Sequence, residues 1–174
     1  MVRRLTPVTL LVLGVALIVC GCGGTYDKGG TTAGPQSPAD SYKAQMRAWT
    51  SSDLNSLDSS ALAGMQDPAN VTAPEMAAIQ RFSDQTHTAL KDLRAIKPSP
   101  ELASDHEGFV SAFSALVEAT DRLVSAVRDK SSSGFAAIET ALTAAYAQIV
   151  AAQDKLAPEI GLPTPAPDTT TVGG

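Results

Sequence analysis

Cys20 and Cys22 are the two cysteines of this 174-residue chain, and they close an apolar run that begins just after Arg3 and Arg4. Val19-Cys20-Gly21-Cys22 puts an aliphatic side chain three positions before Cys22 and a glycine directly before it. That spacing suits a thiol that takes up a diacylglycerol before the chain is cut on its N-terminal side. A cut before Cys20 would leave bulky Val19 at the scissile bond. A cut before Cys22 leaves Gly21 there, so Cys22 is the expected lipid-attachment residue and the first residue of the mature chain. The other side chains that could do chemistry are few. His87 and His106 are the two imidazoles.

The segment before Cys22 has the three parts of an export signal: a basic start at Arg3 and Arg4, an uncharged stretch from Leu5 to Val19, and small residues at the cut. The stretch is too short to span a bilayer, which takes about 20 apolar residues in helix. Over residues 1–23 the chain resembles bacterial lipoproteins, with Val19 to Cys22 as its lipobox. The resemblance implies a lipid-anchored protein with palmitate-type acyl chains on Cys22, held at a cell membrane or outer membrane and facing the periplasm or the exterior. Once Cys20 is discarded and Cys22 acylated, the mature chain has no free thiol, no disulfide and no thiolate metal site.

The whole chain carries 13 basic and 18 acidic residues, a net charge of −5. Loss of residues 1–21 removes two arginines and no acid, which makes the mature chain more acidic still. Nucleic acid as a partner is therefore disfavoured, since its phosphates reward clustered Lys and Arg. Anionic lipid headgroups are disfavoured for the same reason, which leaves the membrane contact to the lipid on Cys22. Residues 22–37, rich in Gly and Thr, form the expected flexible tether. Residues 158–174, with Pro163, Pro165 and Pro167 beside a Thr run, form the expected disordered tail.

Residues 38–157 then make one helical domain. Thr72-Ala73-Pro74-Glu75 reads as a helix start, with Thr72 as cap, Glu75 answering it and Pro74 in the first turn. Its apolar stripe is Met76, Ile79, Phe82, Leu90, Leu93 and Ile96, until Pro98 and Pro100 stop the helix. A third helix over about 101–129 carries Leu102, Phe109, Phe113, Leu116, Leu123 and Val127. A fourth over about 134–156 carries Phe135, Ile138, Leu142, Tyr146, Ile149 and Leu156, and ends at Ala157-Pro158. Before Thr72, Tyr42, Met46 and Trp49 share a face, and Leu54, Leu57 and Ala61 form a rotated stripe. That pattern implies a helix interrupted near Thr50-Ser51-Ser52. The short connections imply antiparallel neighbours and an all-α, up-down-up-down four-helix bundle. A three-helix bundle with a loosely packed N-terminal helix is the alternative.

Within that bundle His106 falls on the inward face of the third helix and His87 at the edge of the second, near Arg94. Counting from the turn places the two rings about one helical turn apart in height. Tyr146 and Gln153 are polar positions on the inward face of the fourth helix, so His106, Tyr146 and Gln153 are the candidate ligand-lining residues. They would serve a carrier of a small ligand, metal or haem; Met76 and His106 are the best-matched haem pair. Asp84-x-x-His87 is a partial match to the Glu-x-x-His elements of bundle metal sites, so no metal site and no cofactor is assigned. Ser104-Asp105-His106 holds three triad residue types, but successive helical positions point about 100° apart. Without a nucleophile elbow, a Walker loop or a His-Glu-x-x-His motif, no catalytic residue is assigned.

Leu90, Leu93 and Ile96, then Pro98, Pro100, Leu102, His106 and Phe109, are similar to a pattern in uncharacterised all-helical bacterial lipoproteins, over residues 72–157. That likeness implies the fold and the location and brings no activity with it. The expectation is a non-enzymatic binding or scaffolding module, tethered to a membrane, whose partner is an envelope protein or the cell wall.

Overall fold

The computed structural model describes residues 37–161 except 63, 64 and 66. The expected signal, Cys22 and nearly all of the tether lie outside the described residues, as does the chain beyond Gly161. The fold is all-α. Its helices are α1 (Pro38–Trp49), α2 (Ala73–Ala95), α3 (Ala103–Arg128) and α4 (Phe135–Ile160), with no strand among the described residues.

α2 begins as its sequence requires: the Glu75 carboxylate accepts from both the Thr72 N–H and the Thr72 hydroxyl, each at 2.7 Å. α3 is entered through a tight 3-10 turn, Pro100–Leu102. α4 runs past the expected stop at Pro158 to Ile160. Proline deprives the Asp154 carbonyl of its donor, but Ala157 and Ile160 are both buried, and their packing holds the last turn. The packed domain therefore continues beyond residue 157. Gly161 then closes the helix in the left-handed region at φ 70°.

Side-chain pairs set the directions. Ser83 and His87, in the middle of α2, meet Asp121 in the second half of α3, whereas Arg94 near the end of α2 reaches Ser114 in the first half of α3. α2 and α3 thus run oppositely. Tyr42 lies against His106, and Trp49 against Phe109 and Phe113, so α1 runs alongside α3 in the same sense. At about 1.5 Å per residue α1 is about 18 Å long, half the length of its neighbours.

α1 ends where Thr50, Ser51 and Ser52 turn their hydroxyls back onto the carbonyls of Met46 and Ala48. Such back-bonding competes with the helical ladder, and over Thr50–Leu54 the helix loosens into a single wide turn. The interruption expected near Ser51 is found there. Beyond it the chain continues in short turns to Thr72, and Leu62, Met65 and Val71 pack over the half of the bundle that α1 does not reach.

The core has two parts. One joins Tyr42, Met46 and Trp49 to Leu93, Phe109, Phe113, Ile149 and Leu156. The other joins Ile79, Leu123, Val127 and Ile138, and Leu142 touches both. The expected inward stripes of α2, α3 and α4 face the core, with Met76, Phe135, Leu142 and Tyr146 half-buried at its edges. α1 is not loosely packed, because Tyr42, Met46 and Trp49 are 0%, 1% and 3% exposed.

α3 ends in a reversal in which the Ser131 N–H bonds the Ala126 carbonyl and the Lys130 N–H bonds the Val127 carbonyl. Lys130 sits at φ 50°, a conformation that costs a side chain with a Cβ. Lys130→Gly is expected to raise unfolding stability by about 0.5–1 kcal/mol. A higher urea midpoint at unchanged slope would show it, and an unchanged or lower midpoint would count against this reading of the turn.

Candidate functional site

The polar groups with the most unusual surroundings tie α1 to the rest of the bundle. α1 reaches each of the other helices once. The Tyr42 hydroxyl is 3.2 Å from Nδ1 of His106 on α3, Nε of Arg47 donates to the Ile160 carbonyl at the end of α4, and Nε1 of Trp49 donates to the Ala89 carbonyl on α2. The Tyr42 and His106 rings also meet edge to face at 5.6 Å.

Burial shapes the chemistry of this pair. It pushes the Tyr42 hydroxyl up to about 12, with the Asp105 charge adding to the effect. It also holds the His106 imidazole below its ordinary value, against the opposing pull of Glu107. Both groups are thus kept neutral near pH 7, one donating and the other accepting. Neither is poised as a nucleophile. A protonated His106 would have to donate from Nδ1 inside an apolar site, which burial disfavours.

The other two ligand-lining candidates lie elsewhere. Tyr146 is partly buried against the first core cluster, and burial raises its hydroxyl pKa. Gln153 lines a cavity of about 10 Å³ with Met46, Thr50, Leu54, Phe109, Leu156 and Ile160. That volume is at the threshold for one water. Neither His106 nor Tyr146 borders it, so His106, Tyr146 and Gln153 do not converge on one space. Met76 packs in the second core cluster, away from His106, so the expected haem pair is not brought together.

His87 has a partner that its sequence neighbours do not suggest. Its Nε2 is 2.9 Å from Oδ1 of Asp121, which also accepts from the Ser83 hydroxyl at 3.2 Å. Ser83 and His87 are one turn apart on α2, and the antiparallel packing supplies Asp121. The order is wrong for a hydrolytic triad, in which the imidazole stands between serine and carboxylate. Here the carboxylate is in the middle. His87 is level with Asp121, and His106 is 15 residues earlier on α3, so the two imidazoles are about 22 Å apart along the bundle and not one turn. Sequence counting misses this because residues 96–102 climb onward along the bundle before the chain reverses, so that α3 begins well beyond the end of α2.

Asp84 does not join His87. It accepts from Gln80 and lines an open groove of about 220 Å³ with Asp53, Ser56, Gln85 and Thr88. Among the described residues no three His, Cys, Asp or Glu side chains are placed to hold a metal ion. Compared with known proteins, the chain matches no family model, no curated protein and no solved structure.

Two outcomes are expected of the α1 contacts. Tyr42→Phe leaves Nδ1 of buried His106 unpartnered and should cost about 1–3 kcal/mol in urea unfolding. The pH dependence comes from the lowered pKa of His106. Its contribution to stability is complete above the unfolded value of 6.5 and is lost as pH falls through 6.5 toward the folded value. The urea midpoint should therefore drop between pH 7.5 and 5.5, and the drop should be smaller in His106→Gln. Equal drops in both proteins would remove His106 from the account.

Proposed function

We propose that this chain is a membrane-anchored envelope lipoprotein, lipidated at Cys22, whose helical domain serves as a non-enzymatic binding or scaffolding module. The observation that carries the reading is the order of the N-terminus: a basic start, a short apolar run, and Val19-Cys20-Gly21-Cys22. The chain after Cys22 suits an anchored module. α1 starts at Pro38, so the stretch from Cys22 spans up to about 50 Å when extended. The bundle can then stand clear of the headgroups, and α1, bonded once to each other helix, takes any pull along the tether.

α4 supports the docking part of this reading. Phe135–Ile160 is long and apolar enough to cross a membrane by length and composition, and 11% of its most apolar window is buried within the bundle. Its inward stripe is engaged in the core, which suits a helix that packs on α3 and offers its other side to a partner.

Lipidation predicts that the full chain, expressed in a diderm or monoderm bacterium, incorporates labelled palmitate and fractionates with membranes. Cys22→Ser should abolish both while Cys20→Ser preserves them. A Cys22→Ser chain that still loses its first 21 residues yet stays with the membrane would overturn the reading.

A further inference from the structure

The outward side of α4 differs from the other exposed helix faces among the described residues. α2 exposes Arg81, Asp84, Lys91, Asp92 and Arg94, whereas α4 carries no charged residue from Thr140 through Gln153. Ala136, Thr140, Thr143, Ala147, Val150 and Asp154 are all exposed and spaced four, three, four, three and four apart. That spacing is a straight seam of the kind by which two helices pack knobs into holes. Its two threonines turn their hydroxyls back onto the Ala136 and Glu139 carbonyls at 2.8 and 2.9 Å, so between Ala136 and Val150 the seam presents methyl groups, and Asp154 is its one charged member. Val150, 40% exposed, is the exposed large apolar side chain among the described residues.

We propose that this face docks a second copy of the same chain, α4 against α4 in antiparallel order. The proposal names the partner in the interaction-module reading above and rests on it. Two features favour another copy over a bilayer. First, the larger apolar side chains of α4, Ile138, Leu142, Ile149 and Leu156, face the core. Alanine and threonine methyls gain little in lipid, and no Trp flanks them as an interfacial anchor. Against a second seam of the same size, however, they permit close backbone approach.

Second, the ends of the seam are complementary to each other. Reversing one copy about a two-fold axis level with Ala145 sets Thr143 opposite Ala147, Thr140 opposite Val150 and Ala136 opposite Asp154. Asp154 of one copy then sits over the first turn of α4 in the other. That turn has no acidic residue, and Gly134 gives it no side-chain cap. A carboxylate is favoured at such an end. Beyond it, Glu159 of one copy comes toward the end of α3 in the other, where Arg128, Asp129 and Lys130 are exposed and sum to one positive charge.

The seam is about 27 Å long at about 1.5 Å per residue. One helix pair of that length buries less than the roughly 1,200 Å² of a stable dimer. Pairing is therefore weak in dilute solution and gains from the high effective concentration of two copies tethered in one membrane.

The test uses the full chain in its host membranes. Two differently tagged copies are co-expressed, one with Thr143→Cys and one with Ala147→Cys, and are oxidised with copper phenanthroline. The mixed dimer should form at least five-fold more than between copies bearing Gln80→Cys on α2. Adding Asp154→Lys to both copies should lower it at least three-fold while the chain stays membrane-bound and helical by circular dichroism. Pairing is overturned if the chain is membrane-bound and the α4 thiols crosslink no better than the α2 thiols. It is equally overturned if those thiols neither crosslink nor react with a water-soluble maleimide, which would put α4 in the bilayer. A chain absent from the membrane fraction would count against anchoring instead, and its crosslinks would still report on pairing.

Discussion

The docking of a half-length α1 is the contact on which the rest of this architecture depends. Without it, α2, α3 and α4 would leave Leu93, Phe109, Phe113 and Leu156 open on one side, since these residues form one cluster with Tyr42, Met46 and Trp49. Full burial of large apolar side chains is worth about 1.5–3 kcal/mol each. The three α1 side chains together therefore outweigh the three polar ties, each worth about 1 kcal/mol net. Apolar burial supplies the attraction and the polar ties set the position. Tyr42, Arg47 and Trp49 each have a single partner, on α3, α4 and α2, and a shift of α1 by one turn would break all three bonds at once.

The same distinction explains why so many polar side chains sit in the core without forming a reactive site. Thr86 and Thr120 are fully buried, and each donates to a carbonyl of its own helix, at Ser83 and Leu116. Thr50 does the same with Met46. A hydroxyl used in this way fills space with its methyl group and has no proton left to give to a ligand. His106 and Tyr42 satisfy each other, and Asp121 takes two donors on one oxygen. The bonding capacity of the threonines is spent within their own turns, and that of Tyr42, His106 and Asp121 in tying helices together.

Much of the fold is legible in the sequence because its signals are local. The Thr72 to Glu75 start, the stripes of α2, α3 and α4, and the break after Trp49 each arise within a few turns of chain, and each is found in the structure. The features that are not legible depend on how elements meet. On its own helix His87 has Arg94 for a neighbour, yet its partner is Asp121 on the next, and only the register of α2 on α3 reveals that. Periodicity places Tyr42 in the core, but its bond to His106 joins positions 64 residues apart. The extension of α4 past Pro158 is of the same kind, since burial of Ile160 outweighs a missing hydrogen bond. For the candidate ligand-lining residues, sequence periodicity finds the inward face correctly. It has no means of showing that the small cavity beside Gln153 is bordered by neither His106 nor Tyr146.

α4 shows why hydropathy alone is a poor guide to where a helix belongs. Its apolar character has two sources with different consequences. Ile138, Leu142, Ile149 and Leu156 supply the large side chains, and all of them pack inward against the other helices. Ala136, Ala137, Ala144, Ala147 and Ala151 supply the remainder on the outside, where alanine raises mean hydropathy while adding little area to bury. A helix that crossed a membrane alone would have to turn its large side chains to lipid, and in doing so would give up the α3–α4 core. Keeping that core leaves an outer surface that carries no charge from Thr140 through Gln153 and only small side chains beside Val150. Such a surface is the one proposed above to pack against another helix.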